Sequence, residues 1–332
     1  MPRIKTSIGL PLLFVTLITP VLEGRSVSSY KPFAGTAVSR SDHRLSLVLR
    51  KFRLDGRTSY LLLDPNDLRT AIRSENEVRV TAAPRNAIAD RFARSVYFKA
   101  LADAAANAAA VQNAGLTHLM ASPPGIALTV DLCPSRKPLD RGLFTDLVRE
   151  FGKEERPVPV AVAVTGVWMD SHGPDLKFLQ GLEKSGDISV TWINHTYHHH
   201  WTKSRPLKEN YLLEKGTDVS AEILRTEAAM IERGLTPSIF FRFPGLVSSR
   251  ELVLTVESFG LVPVGSDAWL GKNQWPKEGS IVLVHANGNE PFGIARFMKL
   301  IREERDKIVH GQWLLLDLRA AAASLESKRE PH

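Results

Sequence analysis

Four of the ten histidines lie in the six-residue segment 195–200, HTYHHH. His195 and His199 are four positions apart. On a helical turn, side chains at this spacing project from one face, close enough to bind the same divalent ion. Two alternatives stay open: the segment is a polar loop with only an adventitious metal site, or His195 pairs with His198. The spacing favours a metal centre formed by His195 and His199.

A catalytic metal centre also needs a carboxylate or other third ligand, and an open position for water. Asp131 is the candidate, because it ends the apolar segment 127–131, ALTVD. A carboxylate at the end of a buried strand is costly to desolvate unless it is paired or bound to a metal. The alternative is that Asp131 caps the turn before Pro134. The position favours a role as metal ligand or as base.

These residues depend on the elements that precede them. From residue 123 onward, short apolar segments alternate with amphipathic ones, which predicts an α/β domain with a parallel sheet, of which a barrel is one closed form. Strands are predicted at Ile126–Val130, Val158–Val164, Ser189–Ile193, Ile239–Arg242, Val262–Gly265 and Ile281–Val284, and helices at Leu139–Phe151, Asp175–Lys184, Ser220–Arg233 and Ile294–Val309.

The polar residues with possible chemical roles all fall at the ends of predicted strands. In (β/α) barrels the carboxyl ends of the strands carry the chemistry. The residues at these positions are Asp131, Asn194, His195, Arg242, Asp267 and His285. Their common location predicts one active site.

The chain before residue 115 has a different pattern. Residues 25–42 are predicted to be irregular. Leu45–Phe52 and Tyr60–Leu63 flank Asp55-Gly56, which predicts a β-hairpin, and Ala87–Gly115 is rich in helix formers. We therefore predict an accessory β-hairpin and helix region at 25–115, without catalytic residues.

The N-terminus has the order of a secretory signal peptide. Arg3 and Lys5 precede the apolar segment Ile8–Leu22, and small or polar residues follow. The segment is short compared with the roughly 20 residues that cross a bilayer as a helix. We predict a signal peptide at 1–24 and export to the periplasm or medium, without membrane association after its removal. An uncleaved anchor is the alternative.

Composition excludes several classes of protein. The chain has 332 residues, of which 43% are hydrophobic and 24% charged, typical of a globular protein. The formal charge is +7, but no Lys/Arg-rich segment with interleaved aromatic residues is present, so we expect no nucleic-acid partner. Cys133 is the one cysteine, which excludes an intramolecular disulfide.

Five segments in order resemble the motifs of the polysaccharide deacetylases, a family of carbohydrate esterases that includes chitooligosaccharide and peptidoglycan deacetylases. They are TVDLCP at 129–134, HTYHH at 195–199, FRFPG at 241–245, SDAW at 266–269 and IVLVH at 281–285. The resemblance implies a distorted (β/α) barrel of the polysaccharide deacetylase type at 120–325.

The resemblance also implies a metal centre and a base. His195 and His199 would bind a divalent metal, for which the histidine ligands favour zinc. Asp131 matches the first aspartate of the family, the general base. Arg242 would orient Asp131 and balance its charge.

On the other side of the cleft, the resemblance implies an acid and a pocket. His285 would be the general acid that protonates the leaving amine, and Asp267 would tune His285. The implied substrate pocket consists of Trp269, Leu283, Pro244 and Gly245.

The sequence departs from the family pattern at several positions. Leu132 stands where the family has its third metal ligand, an aspartate, and Cys133, which could offer a thiolate, stands where it has glycine. Either Asp131 moves onto the metal, or another carboxylate from segment 201–218 completes the site, or histidines and water hold the ion alone. Gly245 stands where many family members have an aromatic residue.

These observations favour a metal-dependent hydrolase that removes N-acetyl groups from an amino-sugar polysaccharide or oligosaccharide and releases acetate. Leu132 favours one alternative, a catalytically impaired deacetylase-like protein that binds glycan or metal. A further alternative is a metal-dependent amidase acting on a non-sugar amide.

Overall fold

The computed structural model describes residues 24–108, 111–120 and 123–323. The predicted signal peptide at 1–24 lies, apart from Gly24, outside the described residues, so export remains a prediction. Residues 324 and 325 of the predicted domain also lie outside them. Within the described ranges, none of the helices has both the length and the apolar character needed to span a bilayer.

The N-terminal region forms a five-stranded antiparallel sheet in the order β4-β3-β2-β1-β5. Its strands are β1 (Val27–Ser39), β2 (Leu45–Leu54), β3 (Arg57–Leu63), β4 (Thr70–Ser74) and β5 (Val78–Ala82). Asp55 and Gly56 join β2 to β3, and both have positive φ angles, 49° and 77°. A type I′ turn needs positive φ at both central residues, and an Asp-Gly pair favours it. The predicted hairpin is therefore confirmed, within a larger sheet.

Two other predictions for this region are wrong. The chain predicted to be irregular at 25–42 contains β1, which pairs with β2 on one side and β5 on the other. Its local sequence is polar, and the pairing with both neighbours decides its structure. The predicted single helix is divided into α1 (Arg85–Phe92) and α2 (Val96–Ala106).

The second sheet contains eight parallel strands, seven of them in the order β10-β9-β8-β7-β6-β12-β11, with β13 pairing with β6. Its strands are β6 (Gly125–Leu132), β7 (Val158–Val164), β8 (Ile188–Asn194), β9 (Phe240–Phe241), β10 (Val262–Pro263), β11 (Ala268–Trp269), β12 (Ile281–His285) and β13 (Leu314–Leu315). The helices around it are α3 (Arg141–Phe151), α4 (Gly166–Ser171), α5 (Gly173–Lys184), α6 (Val219–Glu232), α7 (Arg250–Ser258), α8 (Pro291–Glu303), α9 (Arg305–Ile308) and α10 (Leu318–Ala323).

The two edges of this sheet lie close together. The edge strands β10 and β11 are joined by residues 264–267 alone, so the chain itself connects the two edges. Isolated β-bridges between Leu116 and Val264 and between His118 and Ser280 lie on this side of the sheet. The sheet therefore curls into a distorted barrel, which confirms the predicted fold class.

The N-terminal sheet and the barrel share a hydrophobic core. One cluster of buried side chains includes Leu47 and Leu49 of β2, Tyr97 of α2, and Ala127 and Ile281 of the barrel strands. Small side chains on the inner face of the barrel allow this close packing. The described residues of segment 24–115 therefore pack as part of the same body as the barrel.

A buried ion pair connects the same two parts. Arg50 of β2 and Glu227 of α6 are both 0% exposed. Arg50 donates from Nε and a terminal nitrogen to the two carboxylate oxygens of Glu227, at 2.7 and 2.8 Å. Tyr30 donates to the same carboxylate at 3.0 Å, and Arg50 also donates to the carbonyl of Phe259 at 2.6 Å. The pair stabilises the packing of the sheet on α6, because each buried charge is compensated only while β2 and α6 are packed together.

Replacing Arg50 with alanine tests this connection. We expect Arg50→Ala to lower the free energy of unfolding by about 3–5 kcal/mol, because it leaves the Glu227 carboxylate buried without its cation. Urea unfolding followed by tryptophan fluorescence measures the change. The control is Arg53→Ala on the exposed side of the same strand, with an expected loss under about 0.5 kcal/mol. Equal losses in the two variants would contradict a special role for the buried pair.

Candidate metal centre and catalytic cleft

A cleft of about 530 Å³ opens at the carboxyl ends of the barrel strands. This is the position at which barrels of alternating strands and helices bind their ligands. The cleft is lined by Asp131, Cys133, Pro134, His195, His198, His199, His200, Trp201, Tyr211, Gly245, Leu246, Trp269, Leu283, His285, Asn289 and Glu290.

Asp131 and Cys133, at the end of β6 and just after it, both face the cleft, because successive side chains of an extended chain point to opposite sides. Asp131 points into the cleft and is 3% exposed. The next side chain, Leu132, is 0% exposed and packs in the apolar core between the sheet and the surrounding helices. Cys133 follows and returns to the cleft. Leu132 therefore faces away from the site, and Cys133 is on the side where a ligand is needed.

The histidine segment after β8 is a loop, so the predicted helical turn is wrong. Thr196 and His199 have positive φ angles of 69° and 53°. Asn194 stabilises the loop: its side-chain oxygen accepts from the Thr196 amide at 3.0 Å, and its nitrogen donates to the Ile223 carbonyl at 2.9 Å. The loop nevertheless brings the predicted pair together, with the ring centroids of His195 and His199 4.8 Å apart.

A neighbouring carbonyl oxygen fixes the tautomer of the His195 ring. Its Nδ1 lies 2.9 Å from the Arg242 carbonyl oxygen, which can only accept, so Nδ1 carries the proton. Nε2 then presents its lone pair to the cleft, 3.5 Å from Cys133 Sγ and 3.6 Å from an Asp131 oxygen. Burial lowers the pKa of His195, which favours the neutral imidazole that metals bind.

Cys133, His195 and His199 form a possible three-ligand metal site, with one ligand atom of each within 4.8 Å of the others. Burial alone would raise the pKa of the Cys133 thiol, but His199 and His285 outweigh it and lower the pKa to about 7. The Nε2 atom of His199 is buried without a hydrogen-bond partner among the described residues. A thiolate and two imidazoles suit zinc. The residues therefore fit a divalent ion, and Cys133, rather than Asp131, completes the cluster with the two histidines.

Asp131 lies beside this trio rather than within it, next to a buried arginine. A terminal nitrogen of Arg242 is 3.9 Å from Asp131 Oδ1, and the other donates to Thr129 Oγ1 at 2.9 Å. Arg242 is 0% exposed. Asp131 Oδ1 and two Arg242 nitrogens have no hydrogen-bond partner among the described residues. Buried polar atoms normally have partners, so these atoms indicate a site built for a ligand or water.

His285 lines the same cleft at the end of β12 and is held by Glu290. Its Nδ1 lies 3.0 Å from a Glu290 oxygen, and the indole N–H of Trp269 donates to Glu290 at 2.9 Å. Burial would lower the pKa of His285, but its hydrogen bonds with Cys133 and Glu290 raise the pKa to about 10. Glu290 was not predicted from the sequence as the partner of His285.

Asp267 was predicted to tune His285, and its position contradicts this. Asp267 accepts from the Ile281 amide at 3.0 Å, and its other oxygen contacts His118 Nδ1 at 2.9 Å. Ile281 is the first residue of β12 and His285 the last. At about 3.3 Å per residue, Asp267 lies roughly 13 Å along the strand from His285, at the opposite end of the barrel.

Three of the four predicted pocket residues line the cleft, and one does not. Trp269, Leu283 and Gly245 line the cleft. Pro244 is buried, and its place in the lining is taken by Leu246. Three of the four predicted pocket residues are thus brought together, and the fourth supports the turn beneath them.

Glu222 of α6, a residue not predicted from the sequence, holds the histidine loop. It is 7% exposed, and one oxygen accepts from the amides of Tyr197 and His198 at 2.8 and 2.9 Å. Its other oxygen binds His198 Nδ1 at 2.5 Å. His198 is therefore engaged with Glu222 through Nδ1, and it is not among the clustered ligand atoms, which belong to Cys133, His195 and His199. A carboxylate on the buried face of a helix was the one available sequence signal.

The insertion 201–218 does not supply a carboxylate to the trio. Asp218 is the N-cap of α6 and accepts from the Ala221 amide at 2.9 Å. Glu209 lies in a short 3₁₀ turn and is exposed. Neither is among the residues that line the cleft.

No protein-family model matches the sequence. Solved structures similar to this chain include a family 4 carbohydrate esterase from Bacillus anthracis, with 18% identity, 69% of this chain and 92% of that chain covered, and a TM-score of 0.45. A family 4 carbohydrate esterase from Streptomyces lividans in complex with acetate has 16% identity and a TM-score of 0.41, and the match covers 58% of this chain and 91% of that chain. The peptidoglycan deacetylase PdaC from Bacillus subtilis has 15% identity and a TM-score of 0.40, and the match covers 61% of this chain and 92% of that chain.

Cysteine replacement tests the metal trio. We expect Cys133→Ser to weaken zinc binding at least roughly tenfold, because a serine hydroxyl does not ionise near neutral pH, and Cys133→Asp to restore part of the affinity. Competition with a chromophoric chelator measures the affinity. The control is Leu132→Asp, which should lower stability without strengthening zinc binding, because its carboxylate enters the apolar core. Tighter zinc binding in Leu132→Asp would show that the third ligand belongs at position 132.

Glu222 gives a separate test of the loop. We expect Glu222→Ala to weaken zinc binding by about 10- to 100-fold, the usual cost of losing a residue that orients a metal ligand. Glu232→Ala, on the last turn of the same helix and without a hydrogen bond or ion pair to the described residues, is the control. Both variants are compared by zinc affinity and by thermal unfolding. If both bind zinc as the wild type does, the loop holds its shape without Glu222.

Proposed function

We propose that this cleft hydrolyses the N-acetyl group of an amino-sugar polymer or oligomer, with a divalent ion, zinc by its ligands, held by Cys133, His195 and His199. One observation carries the proposal. The metal trio, a carboxylate backed by an arginine and a histidine backed by a carboxylate all face one cleft of about 530 Å³. When bound, the ion would supply Lewis-acid activation of a carbonyl and of water.

Asp131 is the general base in this proposal. It faces the cleft with one oxygen free of hydrogen bonds to the described residues, and a terminal nitrogen of Arg242 lies 3.9 Å from that oxygen. The attacking water gives its proton to this carboxylate as its oxygen bonds to the carbonyl carbon. The thiolate of Cys133 completes the metal site, so Asp131 stays available for this step.

His285 is the general acid. Glu290 holds Nδ1, so Nε2 is the atom that donates a proton to the leaving nitrogen as the carbon–nitrogen bond breaks. The products are acetate and a free amine, and every atom of the amide and the water is accounted for. Positioned acid and base groups each typically contribute about 10²- to 10⁴-fold to the rate.

The substrate class rests on the cleft walls and on the five motifs. Trp269 and Leu283 give an apolar wall that suits an acetyl methyl group, and Trp201 at the rim is 56% exposed. Exposed aromatic residues beside a polar cleft suit a ligand with both apolar and polar faces. The order of the five motifs supports an acetylated amino sugar over a non-sugar amide.

A second candidate is a protein that binds glycan or metal without turnover. Cys133 favours it, because a thiolate donates more negative charge to the ion than a carboxylate and makes the ion a weaker Lewis acid. The intact Asp131–Arg242 and His285–Glu290 pairs favour turnover, since binding alone requires neither a base nor an acid.

Acetate release from N-acetylglucosamine oligomers separates the candidates. We expect the zinc-loaded wild type to release acetate, and Asp131→Asn to lower the rate by about 10²- to 10⁴-fold through loss of the base, with zinc binding retained. His195→Ala should lose both zinc and activity. The control is Asp267→Asn, the same chemical change at the opposite end of the barrel, which should keep the rate within a few-fold if it folds. Zinc binding without acetate release by the wild type would support the second candidate instead.

A further inference from the structure

Tyr211 is a cleft residue that the proposed mechanism leaves without a role. It lies in the segment between β8 and α6, and it lines the cleft with its ring edge-to-face against His199, the centroids 5.6 Å apart. It begins a short 3₁₀ turn, Tyr211–Leu213. A tyrosine is thus placed directly beside one of the three metal-binding side chains.

The loop holds Tyr211 in a conformation that the residue does not adopt readily. Its φ is 54°, in the left-handed region that costs a non-glycine residue energy. Asn210 imposes it: this side chain is 0% exposed, accepts from the amides of Thr202 and Tyr211, and donates to the carbonyls of Thr202 and Arg205. Strained backbone held by a fully bonded buried side chain is typical of functional positions.

Gly245 leaves the space that the Tyr211 ring fills. A Cβ atom at position 245 would lie 2.5 Å from Tyr211 Cζ and 2.7 Å from its hydroxyl oxygen. Gly245 also has a φ of 60°. The glycine and the tyrosine are therefore a matched pair, because any larger residue at 245 would displace the ring from the cleft.

The hydroxyl of Tyr211 is free to bind a ligand. Three other tyrosines of the chain have partners for theirs: Tyr30 donates to Glu227, Tyr97 to the Gly260 carbonyl and Tyr197 to Asp170. The Tyr211 hydroxyl makes no hydrogen bond to the residues that the structure describes, and it is not among their buried unpaired atoms. It is thus a donor in the cleft without a protein acceptor.

We infer that Tyr211 is a substrate-binding catalytic residue whose hydroxyl donates a hydrogen bond to the carbonyl oxygen of the acetamide. This inference rests on the proposed function. The ring packs on His199 and the hydroxyl lies beside Gly245, so the donor is in the same cleft as the three candidate metal-binding side chains. Negative charge grows on that oxygen as water adds to the carbonyl carbon, and a donor aimed at it strengthens in the transition state.

The test compares the full-length, zinc-loaded wild type with Tyr211→Phe, using the tetramer of N-acetylglucosamine as the probe. We expect kcat to fall by about 10²-fold, as for other single oxyanion donors, with zinc content and thermal unfolding unchanged. KM should rise only several-fold, because the hydrogen bond already forms with the bound substrate but strengthens mainly in the transition state. Tyr60→Phe in β3, which removes a hydroxyl far from the cleft, is the control.

Gly245→Ala provides a second variant for the same pair. It should lower kcat strongly when Tyr211 is present, because the new methyl group displaces the ring, and much less in a Tyr211→Ala background. An equal effect in both backgrounds would show that the strain lies in the glycine backbone alone and would overturn the pairing.

The outcomes separate this inference from the proposed function. If the wild type releases acetate and Tyr211→Phe matches it, the inference is overturned and the proposed function stands. If Tyr211→Phe loses zinc, Tyr211 supports the metal site instead, and the inference is again overturned. If the wild type binds the tetramer without releasing acetate, the proposed function fails, and calorimetric titration decides on Tyr211: a several-fold weaker affinity in Tyr211→Phe supports the contact, and an equal affinity rejects it. If the wild type neither binds nor hydrolyses the tetramer, both fail.

Discussion

Arg242 places a full positive charge in the barrel with no exposed surface, and the site is arranged around it. Its guanidinium binds Thr129 and approaches Asp131, while its backbone carbonyl fixes the tautomer of His195. A buried cation is costly unless compensated, so the Asp131 carboxylate is required nearby for stability as well as for chemistry. One residue thus approaches the Asp131 carboxylate through its side chain and orients the His195 ring through its backbone.

The pleat of β6 is the second constraint. Successive side chains of a strand point to opposite faces, so Asp131 and Leu132 cannot both reach the cleft while the strand continues. Cys133 lies just beyond the strand end and turns inward. From the sequence, Leu132 looked like the loss of a metal ligand. In the structure, the thiol of Cys133, one residue further along the chain, lies with His195 and His199, and its pKa of about 7 makes ionisation easy. In the proposed function, Asp131 is then free to act as the base.

The sequence predicted those features that local patterns determine. The bounds of β7 agree residue for residue with the prediction, and the pairing of His195 with His199 is confirmed in space. Features that depend on register or on distant contacts were missed or wrong. β11 has only two residues, and nothing local shows that it aligns with the start of β12, which puts Asp267 at the wrong end of the barrel. Glu222 and Glu290 act through contacts across elements, and sequence spacing carries no information about these.

The N-terminal region and the histidine loop depend on the same helix. Glu222 and Glu227 both lie on α6, and each is almost fully buried. Glu222 holds the loop that carries His195 and His199, and Glu227 holds Arg50 of the N-terminal sheet. Through α6, the described part of the N-terminal region is therefore connected to the histidine loop, and it also shares a hydrophobic core with the barrel.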